Sequence, residues 1–395
     1  MLSKIKFSNF YSFYDETEIC FEISKKPSSS YFDFHTSDGT RLNKVISIIG
    51  PNGSGKTQLL RPLAFISWFI SRSYQNSEPE SKIPFTCHKL FTDEPTTIEL
   101  EFHIGLERYR YKLIITTKEV IYESLHKKTS HLYSYIFIRE RKGDKYSFKQ
   151  QGFGFNKNIA ENKIRGNSSI IAAAHSHDSE YATKIANYFK DYSSNVRVSG
   201  RDNYHEGALL ESAEYFKTNK QIHNKAIELI CDLDLGLSSI DLIEAKRVDQ
   251  NGNEEEFALP VGIHSSDKGK FSLPFFEESS GTKSAYVLLR DILPILESGG
   301  VVIFDELDND LHPHMVEKII ELFKFEYSNP HNAQLIFSCH TPEILNILKK
   351  HQVYLVEKDN LCSETWRLDE VKGLRSDDNI YAKYMAGALS AIPNL

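Results

Sequence analysis

The sequence predicts an α/β fold assembled from both ends of the chain, with an insertion between them. Three observations carry this. An apolar β-branched run, Val45–Ile49, leads into Gly50, Pro51, Asn52, Gly53, Ser54, Gly55, Lys56 and Thr57, which fit G-x-x-x-x-G-K-[ST] in full. A second apolar run, Val301, Val302, Ile303 and Phe304, ends in Asp305 and Glu306. From residue 280 onward, helical and strand patterns alternate, as in parallel βαβ units.

The opening fifty residues read as strands. Lys4–Phe10 and Glu18–Ile23 alternate apolar and polar residues. A helix is expected from about Lys56 to Tyr74, then a polar, proline-containing loop over 75–96. An antiparallel sheet follows, with strands at Thr97–Ile104, Arg108–Thr116, Glu119–Lys127 and Tyr133–Arg139. Gly105–Glu107 and Lys142–Asp144 supply turns. From about 156 to 235 the pattern is helical, best at His177–Tyr192 and Leu209–Leu233. Ile240–Arg247 reads as a strand and Asp249–Glu256 as a polar turn. The closing order is helix, strand Val301–Phe304, helix Pro313–Phe325, strand Gln334–Ser338, helix Pro342–Lys349 and strand Val353–Glu357.

Composition bounds the function. With 40% hydrophobic and 26% charged residues in 395, the chain has an ordinary globular profile. The apolar stretch Leu63–Ile70 is too short to span a bilayer, so no membrane role is expected. No secretory signal is read at Met1–Phe10. The five cysteines are scattered and form no Cys-x-x-Cys pair, which fits a cytoplasmic protein. A net charge of -7 argues mildly against coating nucleic acid, though a local basic patch stays possible.

The residues that carry chemistry follow from the motifs. Glycines at Gly50, Gly53 and Gly55 let consecutive N–H groups, including those of Asn52 and Ser54, wrap phosphates at a helix start. Lys56 is expected to reach the β- and γ-phosphates of ATP, and Thr57 to hold Mg²⁺. A buried parallel strand delivers carboxylates to its C-terminal edge. Asp305 is therefore the expected second Mg²⁺ residue and Glu306 the residue that polarises the attacking water. Glu278–Lys283 opens a helix about 25 residues before the acids; Ser280 is read there as a helix cap or as a phosphate contact, with Gly281 beside it. His340, just past Gln334–Ser338, is placed to sense the γ-phosphate. His175, His177 and Asp178 resemble a metal cluster, but capping by Ser176 or Asp178 explains them better. Glu254–Glu256 reads as a solvated turn.

Taken in order, P-loop, Ser280-Gly281, apolar-Asp-Glu, Leu311-His312-Pro313 and Ser338-Cys339-His340 resemble the ABC-type ATPases of the SMC, RecF and OLD branch. Ile5–Phe13 looks like that branch's opening strand. The tail Tyr384–Pro393 is similar to that of the compact RloA/AbiLi-like ATPases of bacterial phage-defence loci. The resemblance implies an ABC-type P-loop ATPase head with an antiparallel β lobe and a helical insertion between the P-loop and the signature loop. Its expected parts are an N-terminal half at 1–96, a β lobe at 97–150, a mainly helical lid at 151–275 and a C-terminal half at 276–395. It further implies a Mg²⁺-dependent ATPase that dimerises, or forms a higher even-numbered oligomer, around ATP. Ser280 and Gly281 would then serve the partner subunit's nucleotide, and Asp310–His312 would line the interface. The implied role is regulation of a companion effector encoded nearby, in anti-phage abortive infection; a RecF-like DNA-maintenance ATPase is the alternative. The chain departs from the pattern at Tyr11, Thr282 and Lys283, and no Q-loop glutamine stands out, Gln75 and the segment around His88 being poor candidates.

Overall fold

Alternate residues of the central strands feed two separate cores. Ile46 and Ile48 point into one, Val45 and Ile49 into the other; Val301 and Ile303 divide from Val302 and Phe304 in the same way. This is the period of two of a β-strand buried on both faces. The strands Val45–Ile49, Val301–Phe304 and Gln334–Ser338 are accordingly buried along their whole length. In this computed structural model the described residues are 1–391 apart from 26, 199, 203, 234–235, 249–253 and 376–377.

The central sheet has six strands. Their order is Tyr192–Ser194, Val301–Phe304, Gln334–Ser338, Val45–Ile49, Val353–Asp359 and Cys362–Arg367. All pairings are parallel except the last, a hairpin at the edge. The P-loop strand Val45–Ile49 is thus flanked on both sides by strands from the far end of the chain. Gln334–Ser338 lies between it and the strand that ends in the acids.

One core joins the helix Lys56–Asn76 to a seven-stranded antiparallel sheet; the other holds the helices Glu206–Thr218, Lys220–Leu233, Ser280–Ser298 and Pro313–Glu321. The antiparallel sheet is not a lobe confined to 97–150. Its strand Thr96–Ile104 pairs with Leu2–Ser8, which pairs with Thr17–Cys20. The alternation in Lys4–Phe10 and the alternation after residue 96 belong to one pleated surface with one buried face. A fifth strand, Lys145–Gln150, extends it beyond the four expected.

The region 151–275 is helical only in its first part. The helix expected over 177–192 runs from Glu180 to Lys190; a separate helix, Ile170–Ser176, precedes it, and a short strand follows. Ser169 caps the first by accepting from the Ile171 N–H, and Ser179 stands at the start of the second; Ser176 and Asp178 cap neither. The 209–233 helix breaks at Asn219, whose side chain turns back on Tyr215. Leu237–Val248, Glu254–Ser266 and Gly269–Pro274 then form a separate three-stranded antiparallel sheet. Glu254–Glu256, expected as a turn, opens the middle strand; residues 249–253 of that turn lie outside the described residues. The helix expected at Pro342–Lys349 is a 3₁₀ segment, Pro342–Asn346. Among the described residues, no helix is long and apolar enough to cross a membrane.

Candidate active site

The loop Gly50–Gly55 joins a fully buried strand to a helix that begins without a side-chain cap. Gly55 sits at φ 113, where L side chains are strained, and a Cβ there would overlap the Ser363 hydroxyl. That hydroxyl donates to the Ser54 carbonyl at 2.6 Å and meets Ser12 Oγ at 2.6 Å. Gly50 is pressed against the Val356 carbonyl, with no room for a methyl group. The loop is therefore held from behind by the first turn of the chain and by its last two central strands. The exposed face is formed by Asn52 and Gly53.

Lys56 curls into this loop. Its Nζ donates to the carbonyls of Gly50 at 2.8 Å and Pro51 at 3.1 Å. Burial lowers its pKa, while the charges of Asp305 and Glu306 oppose that shift. Thr57 Oγ1 donates to Asp305 Oδ2 at 2.6 Å. Ser338 Oγ donates to Asp305 Oδ1 at 2.5 Å and accepts from the Glu306 N–H at 2.8 Å. Both oxygens of a buried carboxylate are thereby satisfied.

Glu306 and His340 are also brought together. The Asp308 carboxylate accepts from the His340 N–H at 2.9 Å and from Thr341 Oγ1 at 2.6 Å. This fixes the turn after Gln334–Ser338 and sets His340 Nε2 at 3.4 Å from Glu306 Oε1. Glu306 itself adopts φ 51, an uncommon left-handed conformation for a non-glycine residue. Between Ser338 and His340, burial pushes the Cys339 thiol up to about 12, so it stays protonated at neutral pH.

Ser280 and Gly281 are not joined to this cluster: among the described contacts no hydrogen bond or ion pair links them to Gly50–Thr57, Asp305, Glu306 or His340. Ser279, not Ser280, caps their helix, accepting from the Thr282 N–H at 3.1 Å. This frees Ser280, which is exposed. A Cβ on Gly281 would come within 3.0 Å of the Asp310 carbonyl, so the loop packs on the turn after the acids. That turn ends in His312, which caps the helix starting at Pro313.

Two residues of the site have no motif. Asn195 grips the backbone of Asp305 from both sides, accepting from its N–H at 2.7 Å and donating to its carbonyl at 3.0 Å. Arg201 forms an ion pair with Glu306 Oε2. Both follow a three-residue strand inside a stretch read as helical. Gln75 is tied to Ser176 at 2.6 Å and His88 to the Leu361 carbonyl at 3.3 Å. His175 meets Thr183 Oγ1 at 2.9 Å and Lys190 at 2.9 Å.

Residues 45–346, about three quarters of the chain, match the family model described as "AAA domain, putative AbiEii toxin, Type IV TA system". The chain belongs to this AAA family. As a member of that family it is an ATPase, and the matched span contains the P-loop, the acids and His340. No curated protein matches it. Among solved structures, an SMC head bound to the C-terminal winged-helix domain of ScpA is 13% identical, with a TM-score of 0.47, covering 93% of this chain and 97% of that one. The SMC head domain from Thermotoga maritima is 14% identical at a TM-score of 0.43, with 94% and 99% covered. An Smc head with an extended coiled coil, bound to the C-terminal domain of ScpA derived from Pyrococcus furiosus, gives 11%, 0.46, 93% and 97%. At such scores the function of this AAA-family chain has to be argued from its own site.

Proposed function

We propose that this chain is a Mg²⁺-dependent ATPase whose paired heads close on ATP and so regulate a companion effector protein in the cytosol. The observation that carries the catalytic part is the meeting of Thr57 with Asp305. A hydroxyl from the P-loop helix and a buried carboxylate from a strand 248 positions away in sequence stand 2.6 Å apart. They form a small, hard oxygen donor set, which suits Mg²⁺, an ion that keeps several waters and takes few protein ligands. Bound there, Mg²⁺ would neutralise charge on the phosphates.

The residues divide the remaining work. Lys56, now satisfied by loop carbonyls, exchanges them for phosphate oxygens. The N–H groups from Asn52 to Thr57 cradle the phosphates at the uncapped helix start. Glu306 orients the attacking water, and His340, within reach of it, senses the γ-phosphate. Ser338 and Asn195 hold Asp305 in place.

Ser280 and Gly281 support the paired assembly, because Ser280 is exposed, Gly281 is half-buried, and neither is connected to its own P-loop. A two-fold pair would bring each to its partner's nucleotide. The family description, with its toxin and toxin–antitoxin terms, supports an effector-linked role in phage defence. The test is co-purification of the full chain with the product of its neighbouring gene, with and without ATP. ATP-dependent association that is lost in Lys56→Ala supports the reading. Tight binding to duplex DNA with a steep salt dependence, and no protein partner, would favour DNA maintenance instead.

A further inference from the structure

We propose that Arg201, carried into the site by the insertion, is a positioning residue that fixes the carboxylate of Glu306 for hydrolysis. The inference rests on the assignment of Glu306 as the residue that orients water. Glu306 lies beyond the end of its strand in left-handed backbone, so regular strand packing does not orient its side chain. Its carboxylate is about one-third exposed, at 32%. Its two oxygens have separate partners: Oε2 pairs with the Arg201 guanidinium, and Oε1 faces His340 Nε2 at 3.4 Å. The pair borders a cavity of about 360 Å³ lined by Arg197, Asp202, His205 and Arg290 beside apolar side chains such as Leu288 and Phe304, so the carboxylate faces open space on that side. A guanidinium is a planar, permanently charged fork and sets direction as well as charge. Phosphoryl transfer depends on positioning more than on base strength, so a pinned carboxylate serves better than a free one.

Arg201 reaches the site through a compact relay. Tyr192–Ser194 adds to the edge of the central sheet in parallel with Val301–Phe304, with Ser194 opposite Ile303. The next residue, Asn195, clamps the backbone of Asp305. Val196–Arg197 and Gly200–Arg201 then form a two-stranded hairpin. It closes on its own root through the Asp202 N–H, which donates to the Asn195 carbonyl at 2.7 Å, and through an Arg197–Asp202 ion pair at 2.6 Å. The residue that grips Asp305 and the residue that grips Glu306 therefore move as one unit. Displacing this hairpin would disturb both acids together, which gives the insertion a direct line to hydrolysis.

The test uses Arg201→Gln and Arg201→Lys in the full chain, with ATP and Mg²⁺. Arg201→Gln is expected to lower kcat about 10–100-fold while KM and the affinity for ATP stay within about two-fold. Arg201→Lys should recover part of that loss. In a Glu306→Gln background, where single-turnover hydrolysis reads the residual rate, Arg201→Gln should cost nothing further. Unchanged or faster turnover in Arg201→Gln would overturn the proposal, the second result marking the ion pair as a brake. A raised KM at constant kcat, or an equal loss in the Glu306→Gln background, would also overturn it. Should Arg201→Gln fold poorly, Arg201→Lys carries the reading. A several-fold loss of kcat at constant KM, absent in the Glu306→Gln background, supports the proposal, and any other result overturns it. Failure of the Glu306 assignment shows separately, as normal turnover in Glu306→Gln alone.

Discussion

The helices Lys56–Asn76 and Ser280–Ser298 both begin in a short run of glycine, serine and threonine, yet their first turns meet different surroundings. The first starts at Gly55 with no side chain accepting from its N–H groups; Lys56 turns back onto the loop carbonyls and Thr57 reaches Asp305. The second is closed by Ser279, whose hydroxyl accepts from the Thr282 N–H and meets Thr282 Oγ1 at 2.7 Å, while Ser280 faces solvent. An uncapped helix start leaves donors that a phosphate can satisfy. In the second, the Thr282 N–H is already satisfied within the chain, and the neighbouring serine is exposed. The difference separates a site built within one chain from a surface serine that, under the proposed pairing, would serve a second chain.

Four changes test that separation. Lys56→Ala should weaken ATP binding at least about 100-fold, because a charge-assisted contact to phosphate is lost. The melting temperature should stay close to wild type, since the loop is also held by Ser12 and Ser363; calorimetric titration and thermal melts read the two effects. Glu306→Gln should still bind ATP but turn over about 100-fold more slowly. Trapped ATP should then shift the chain toward a dimer in size-exclusion chromatography, and a monomer saturated with ATP would break the comparison. Mixing Lys56→Ala with Ser280→Arg chains, each inactive alone, should restore up to about half of wild-type activity per mixed dimer, because one composite site escapes both mutations. Full activity in Ser280→Arg alone would remove the loop from catalysis. The smallest effect is expected from Ser279→Ala. Losing that cap should cost about 1 kcal/mol in a denaturant melt, with ATP affinity of the isolated chain unchanged.

Much of the central sheet and its motif residues could be read from the sequence because local pattern and tertiary role coincide there. Val45–Ile49, Val301–Phe304 and Gln334–Ser338 are continuous apolar runs because both of their faces are buried. Thr57 and Asp305 could be named in advance because the P-loop pattern and the apolar-acid pattern each fix a strand end. Asn195 and Arg201 could not. They follow Tyr192–Ser194, a strand too short for any period, and one that exists only because the edge of Val301–Phe304 is free to accept it. The capping of the second helix by Ser279 rather than Ser280 was hidden for a similar reason. Two adjacent serines are equivalent as sequence, and only the folded backbone shows that the Ser279 hydroxyl is the one that meets the Thr282 N–H. The split of 151–275 into helices and a separate sheet turns on single residues such as Asn219, whose local hydrogen bonds outweigh the surrounding helical period.

The position of the P-loop strand has a consequence for how the protein is made. Val45–Ile49 emerges early from the ribosome, but its two neighbours in the sheet are Gln334–Ser338 and Val353–Asp359. Until those segments are synthesised, the strand has both edges open and Gly50–Gly55 lacks Val356 and Ser363 behind it. Contacts between residues so far apart are slow to form, and an unpaired apolar strand is prone to aggregation while it waits. Nucleotide binding should therefore appear only late in synthesis, so that a chain cut short before residue 363 is unable to act as a partial ATPase.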